Sequence, residues 1–190
     1  MSRTKVKQNL IDASFGNILE QIIYRADGRT ITTSQGNITV PTAAKQTTDS
    51  STHQLASGSN IEYLPPSGAT GVYYEFVTQV DAVDSNTLTH FKVQLDNSSG
   101  TLTDITNSRR TYYAPEIRDM RLMVEEYIRI DGTEDVANGR VGTWNTARTL
   151  QASVRAYSSS YNQSINTLGH WDGSRPQLLH YPLIRITAYA

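Results

Sequence analysis

Along several separate stretches of this chain the apolar residues fall on every second position. At 120–130, Met120, Leu122, Val124, Ile128 and Ile130 share one parity, and Arg121, Glu125, Tyr127 and Arg129 share the other. At 89–95, Phe91, Val93 and Leu95 alternate with His90, Lys92 and Gln94. At 148–157, Leu150, Ala152, Val154 and Ala156 alternate with Thr149, Gln151, Ser153, Arg155 and Tyr157. A period of two belongs to strands with one buried and one accessible face, not to helices. Several such strands, separated by turns rich in Gly, Asn, Asp and Ser, predict an all-β, antiparallel sandwich. Matched parity predicts a core of Tyr74, Phe76, Phe91, Val93, Leu122, Val124, Leu150 and Val154.

At 190 residues the chain is long enough for one domain with a proper core. Its net charge of -1 supplies no basic field, so nucleic acid is not an expected partner. The chain has no cysteine, which excludes disulfides and thiolate metal sites. No run reaches the ~18–20 apolar residues of a membrane-spanning helix, so no membrane partner is expected. Arg3, Lys5 and Lys7 are not followed by an apolar run, and no signal peptide is read.

The first residues follow another rule. Leu10, Ile11, Phe15, Ile18, Leu19, Ile22 and Ile23 recur at spacings of three and four. That spacing predicts an amphipathic stripe ending near Tyr24, before Asp27-Gly28, in an arm that is extended or partly helical. A short helix needs a surface to pack on. The surface is either the chain's own domain or a partner, for which Ile11, Phe15, Ile18, Leu19 and Ile22 would be the anchor. Residues 29–56 are polar, with β-like pieces at 30–33, 37–40 and 52–55. The expected organisation is an N-terminal arm over 1–56 and a β-sandwich body over 57–190. Body strands are expected at 60–64, 71–81, 88–96, 101–106, 109–113, 118–130, 143–157 and 180–190. A polar excursion over 158–179 precedes the last, which should be tied inside a sheet.

No catalytic motif emerges. His53, His90, His170 and His180 make no spaced ligand pair, and His170-Trp171-Asp172 is the only suggestive cluster. Asp131–Asp135 departs from a calcium loop, with Val136 where glycine is needed and Gly142 in place of the closing glutamate. Asp81, Asp84 and Asp96 belong to other turns. Glu125 and Glu126 are adjacent on a strand, so they point to opposite faces and make no acid/base pair. Glu126 falls on the apolar face and needs a partner, for which Arg148 and Arg185 are candidates. The chain is therefore expected to be no enzyme and to use no cofactor or metal. A Ser/His/Asp site assembled in space is left open, because triads are recognised by geometry. The eleven tyrosines are more informative. Tyr73, Tyr127 and Tyr157 fall on outward parities, and Tyr189 shares one with Arg185. Tyr and Arg are enriched where proteins bury contacts with one another. Tyr73, Tyr127, Tyr189 and Arg185 are thus expected at an oligomer interface, against the alternative of cross-strand packing on a wet face.

Several phrases add a resemblance. They are YRADGRT at Tyr24–Thr30, GSNIEYLPPSGA at Gly58–Ala69 followed by Val72-Tyr73-Tyr74-Glu75-Phe76, HFKVQLD at His90–Asp96, Trp171-Asp172-Gly173, and PLIRITA at Pro182–Ala188. Over most of residues 24–190 the chain resembles virion-associated proteins of marine tailed bacteriophages. The resemblance implies a structural particle protein, assembled in the host cytoplasm. A jelly-roll of the tumour-necrosis-factor or C1q-like type, often a homotrimer, suits the strand count. The expected function is capsid decoration (a cement protein), with the major capsid protein or tail proteins as partners. The alternative is a tail-fibre or head-fibre tip that binds a host glycan through Trp171, Asp172 and Tyr161. A glycan-acting enzyme ranks last.

Overall fold

The computed structural model describes residues 17–48, 52–82, 87–114, 119–161, 163–169 and 177–190. Among them there is no α-helix, only 3-10 turns at Thr106–Ser108 and Val136–Asn138. The strands are β1 (Ile18–Arg25), β2 (Thr30–Thr33), β3 (Gly36–Thr39), β4 (Gln46–Thr48), β5 (Gln54–Leu55), β6 (Ile61–Tyr63), β7 (Gly71–Ala82), β8 (Thr87–Asp96) and β9 (Leu102–Asp104). They continue with β10 (Arg110–Ala114), β11 (Asp119–Ile130), β12 (Arg140–Val141), β13 (Arg148–Ala156), β14 (Gln163–Ile165), β15 (Thr167–Gly169), β16 (Gln177–Leu179) and β17 (Leu183–Tyr189).

Two sheets make the sandwich. The first runs β1-β17-β7-β11-β12, with β14 pairing β7 and β4. The second runs β10-β8-β13-β5, with β6 also on β13 and β9 on β8. The antiparallel pairs β1·β17, β5 and β6 on β13, β7·β11 and β8·β10 nest one inside the next along the chain. A long hairpin whose arms pair in this nested way and then roll up is a jelly-roll. The rolling adds two contacts, β17 on β7 and β13 on β8. The terminal strand therefore lies inside its sheet, between β1 and β7.

Parity carries through into packing. All eight expected core residues are buried, in one cluster with Ile61, Tyr63, Val72, Leu95, Ile128, Ile184 and Ile186. Polar groups inside are mostly paired. The Tyr74 hydroxyl donates to the Ser59 carbonyl at 2.6 Å, and Ser59 Oγ donates to the Ala152 carbonyl at 2.9 Å, linking the layers. Asn166, at φ 58°, turns β14 into β15. Its Nδ2 donates to the carbonyls of Ala44 (3.0 Å) and Ser57 (2.7 Å), while its Oδ1 accepts from Thr78 Oγ1 (2.7 Å). A short polar side chain tolerates the left-handed region, and here it pins the 44–57 segment to the first sheet.

Several expectations are corrected. Residues 18–25 are a strand, not part of a helical stripe. Ile22 and Tyr24 point into the core while Leu19 and Ile23 point out. The β17 edge gives this segment a register-matched ladder along one side, and β-branched Ile18, Ile22 and Ile23 suit a strand. Ile22 thus packs in the domain's own core, and Ile18 and Leu19 are exposed. Ile11 and Phe15 lie outside the described residues. No break in pairing occurs at residue 56, because β1, β4 and β5 all pair with body strands. Strand β13 begins at Arg148, not 143, because Trp144 turns into the core and its Nε1 donates to the Tyr63 carbonyl at 3.0 Å. The 158–179 excursion holds β14, β15 and β16.

Phe91 is buried at the centre of β8. Phe91→Ala should cost ~3–5 kcal/mol in a urea unfolding titration, from lost transfer energy and the cavity left behind. Deleting residues 1–25 should lower the melting temperature clearly, since it strips an edge strand and bares β17.

Candidate functional site

Because β1, β17, β7 and β11 are aligned residue by residue, their outward side chains form rows across one face. One row is Arg25, Leu183, Val77 and Met123. The next is Ile23, Arg185, Glu75 and Glu125, and the third is Gln21, Thr187, Tyr73 and Tyr127. A fourth brings Tyr189 opposite Gly71. Tyr73, Tyr127, Tyr189 and Arg185, singled out on separate strands, therefore share one surface. Tyr157 does not: it belongs to the second sheet, beside His90 and Tyr161.

The middle row holds an unusual contact. Glu75 of β7 and Glu125 of β11 are directly opposite, a like-charge pairing that is destabilising by itself. The Tyr73 hydroxyl lies between them, 3.1 Å from Glu75 Oε2 and in a short hydrogen bond with Glu125 Oε2. Burial, followed by that bond to Glu125, pushes the Tyr73 phenol well above its ordinary range, so it stays protonated. Arg185 completes the arrangement, its Nη1 3.5 Å from Glu75 Oε2. Glu75 is itself buried, so the ion pair on this carboxylate is shielded on one side.

Aromatic and apolar groups surround this polar centre. Tyr127 and Tyr189 meet edge to face at 6.0 Å. The Tyr127 ring lies over Gly71, where a Cβ would sit 2.0 Å from its hydroxyl oxygen. Glycine is needed there because the ring occupies the side-chain space. Ile23 (52% exposed), Tyr127 (43%), Met123 (40%) and Leu19 (40%) complete an accessible apolar rim. At the other end of the face Arg25, Arg121 and His180 border Val77 and Gln79 in a small cleft of about 240 Å³.

The other candidates resolve differently. The Asp131–Asp135 carboxylates are engaged by arginines and amides. Asp131 takes Arg140 Nε at 2.9 Å, and Glu134 takes Arg148 at 2.9 and 3.3 Å together with the Gly142 amide at 2.9 Å. The Arg140 bond holds Asp131, and the Arg148 bond holds Glu134, below the usual carboxylate range. Neither arginine proposed for Glu126 reaches it: Arg148 pairs with Glu134 and Arg185 with Glu75. Glu126 instead accepts the Tyr127 amide at 3.2 Å, and burial raises its pKa. Asp81 sits in the first sheet and Asp96 in the second, where its Oδ2 accepts the Thr149 amide. Asp84, His170, Trp171 and Asp172 fall outside the described residues. Among the described residues no cluster of three or more His, Asp or Glu suits a metal ion.

No protein-family model matches the chain, and no curated protein does. Among solved structures it is similar to Eiger TNF from S. frugiperda, at 12% identity and a TM-score of 0.32, over 92% of this chain and 88% of that one. It is also similar to a family 11 carbohydrate-binding module from Clostridium thermocellum. That match has 11% identity and a TM-score of 0.25, over 93% of this chain and 92% of the module. These likenesses concern the fold, which the strand order here defines independently.

The Tyr73 bridge predicts a coupling. Tyr73→Phe should cost ~1–3 kcal/mol by leaving the two carboxylates without their shared donor. The same change in a Glu125→Gln background should cost clearly less, a difference that a double-mutant cycle of urea titrations reads.

Proposed function

We propose that the chain is a non-enzymatic structural protein that associates as a homotrimer through the outer face of β1-β17-β7-β11 and decorates a bacteriophage capsid. The observation that carries this reading is the face itself. It joins exposed Ile23, Met123 and Tyr127 to a half-buried polar centre that includes Arg185, and Tyr, Met and Arg are the residue types enriched where proteins bury contacts with one another. Its charge is divided, with Glu75 and Glu125 beside Arg185 in the middle and Arg25 and Arg121 at one end. A face with basic groups at one end and acidic groups at its centre suits an offset, head-to-tail contact between copies, the kind that closes into a ring of three. The capsid as the place of action rests on the resemblance of the strand and turn phrases to virion-associated proteins. Residues Ile11 and Phe15, which precede β1, are the remaining anchor candidates toward a capsid partner.

A second reading, a fibre tip that binds a host glycan, draws on Tyr157 and Tyr161. Their rings meet edge to face at 5.5 Å at the opposite layer, with Tyr157 54% exposed. Exposed aromatic faces are what a sugar ring stacks on.

Light scattering should give three times the 21.1 kDa chain mass at micromolar concentration. Ile23→Asp with Met123→Asp should reduce it to the single-chain mass with an unchanged β-type circular-dichroism spectrum. A wild-type monomer would contradict the trimer. On purified particles, a stained gel showing hundreds of copies would fit decoration, and a few dozen would fit a fibre.

A further inference from the structure

The second sheet carries a dense group of cations on its outward face. Strand β8 presents His90 and Lys92 two residues apart. Register places Thr111 of β10 and Arg155 of β13 on either side of His90, and Ser153 beside Lys92. His90, Lys92, Thr111 and Arg155, with His53, Arg109 and Arg110, line an open cleft of about 330 Å³. Among the described residues one carboxylate lies within ion-pair distance of these side chains. It is Asp104, 2.6 Å from Lys92 Nζ and 3.9 Å from Arg109 Nη2. Arg110 and Arg155 donate to main-chain carbonyls, Arg110 to Asn107 at 2.8 Å and Arg155 to Ala156 at 3.1 Å. These bonds fix the guanidinium groups; Glu126 interacts with Arg110 only beyond ion-pair distance.

Such a cluster opposes folding, because like charges side by side on a sheet repel. Two more features mark the place. His90 Nδ1 is 2.9 Å from Thr111 Oγ1, but its Nε2 is buried and has no hydrogen-bond partner. A buried polar atom without a partner is uncommon and calls for an explanation. Beside it, the Tyr157 ring stands 6.3 Å from the imidazole and meets the Tyr161 ring at 5.5 Å. An oxyanion seated here would offset the clustered charge, because arginine forks and ammonium groups bind tetrahedral oxyanions through charge-assisted hydrogen bonds.

We propose that the cleft between His53, His90, Lys92, Arg109, Arg110 and Arg155 binds a tetrahedral oxyanion, a sulfate or phosphate group. The site lies on the layer opposite the self-association face and does not depend on it. The group arrives either as the free ion or as an ester on a sugar, whose ring would lie against Tyr157. Proton linkage gives a second signature. Burial, then Lys92 and Arg155, hold His53 down at about 4; Asp104 pulls it up and His90 pushes it down. Burial and Arg155 lower His90. Both rings are therefore neutral near pH 7. A bound anion favours their charged forms, so binding takes up protons and strengthens as pH falls.

The test titrates the full-length protein with sodium sulfate, then with glucose 6-sulfate, by calorimetry at constant ionic strength. Sulfate keeps its charge across the range, so any pH dependence belongs to the protein. Saturable binding that tightens from pH 7.5 to 5.5 is expected, and His53→Asn with His90→Gln should flatten that trend. Arg155→Gln should weaken binding about tenfold, as loss of a charge-assisted contact does. Arg109→Gln, at an exposed position, should act in the same direction if the first variant folds poorly. Arg121→Gln, on the other layer, should change nothing. Tighter binding of the sugar ester would assign the group to a sulfated glycan, and equal binding would assign it to the free ion. No saturable binding of either, or equal losses from Arg121→Gln and Arg155→Gln, would overturn the proposal.

Discussion

Strand β7 is paired along its whole length on one edge by β11, and on the other by β17 and then β14. That double constraint sets the rest of the molecule. A strand held on both edges cannot slip, because a shift of one residue would move Val72, Tyr74, Phe76 and Val80 out of the core. With the inward set fixed, the outward set follows. Tyr73, Glu75 and Val77 must face away, and their neighbours across the ladder must be Tyr127, Glu125 and Met123. The opposed carboxylates are thus a consequence of core register, and the Tyr73 hydroxyl with Arg185 makes that register tolerable.

The same logic separates what could be read from the chain from what could not. Parity at 89–95, 120–130 and 148–157 survives as β8, β11 and β13 because these strands are long and have one side on the core. The core residues came with them. The segment at 18–24 is legible only as extended or partly helical, because Leu19, Ile22 and Ile23 fit helical spacing as well as a strand. What decides between them is the free edge of β17, more than 150 positions away in sequence. Strand β14 escaped because three residues, Gln163-Ser164-Ile165, are too few and too polar to show a period. Its buried glutamine reflects a polar interior contact with Thr89, which no local signal announces.

Site residues divide in the same way. Tyr73, Tyr127, Tyr189 and Arg185 were legible as outward tyrosines and an arginine, and the sheet brings them onto one surface. Glu75 went unnoticed because a single glutamate on a strand carries no signal until its partner's register is known. Aligning Val72 with Ile128 and Phe76 with Val124 would have found it. The basic cleft was likewise visible in part, since His90, Lys92 and Arg155 were all assigned outward parities. Their adjacency depends on β8 pairing with β10 and β13, which spacing alone does not supply. The two layers therefore present different chemistry on one scaffold: an apolar and tyrosine-rich face on the first sheet, and a cationic cleft on the second.

Whether that first face is covered by another copy of the chain is decided most directly at Met123, which is 40% exposed in the single chain and lies opposite Val77. Peroxide converts an accessible thioether to its sulfoxide, and mass spectrometry of the peptide reads the rate. In an assembled trimer Met123 should be protected at micromolar concentration and should gain reactivity on dilution, as copies separate. Oxidation at every concentration as fast as in the urea-unfolded chain would contradict the interface.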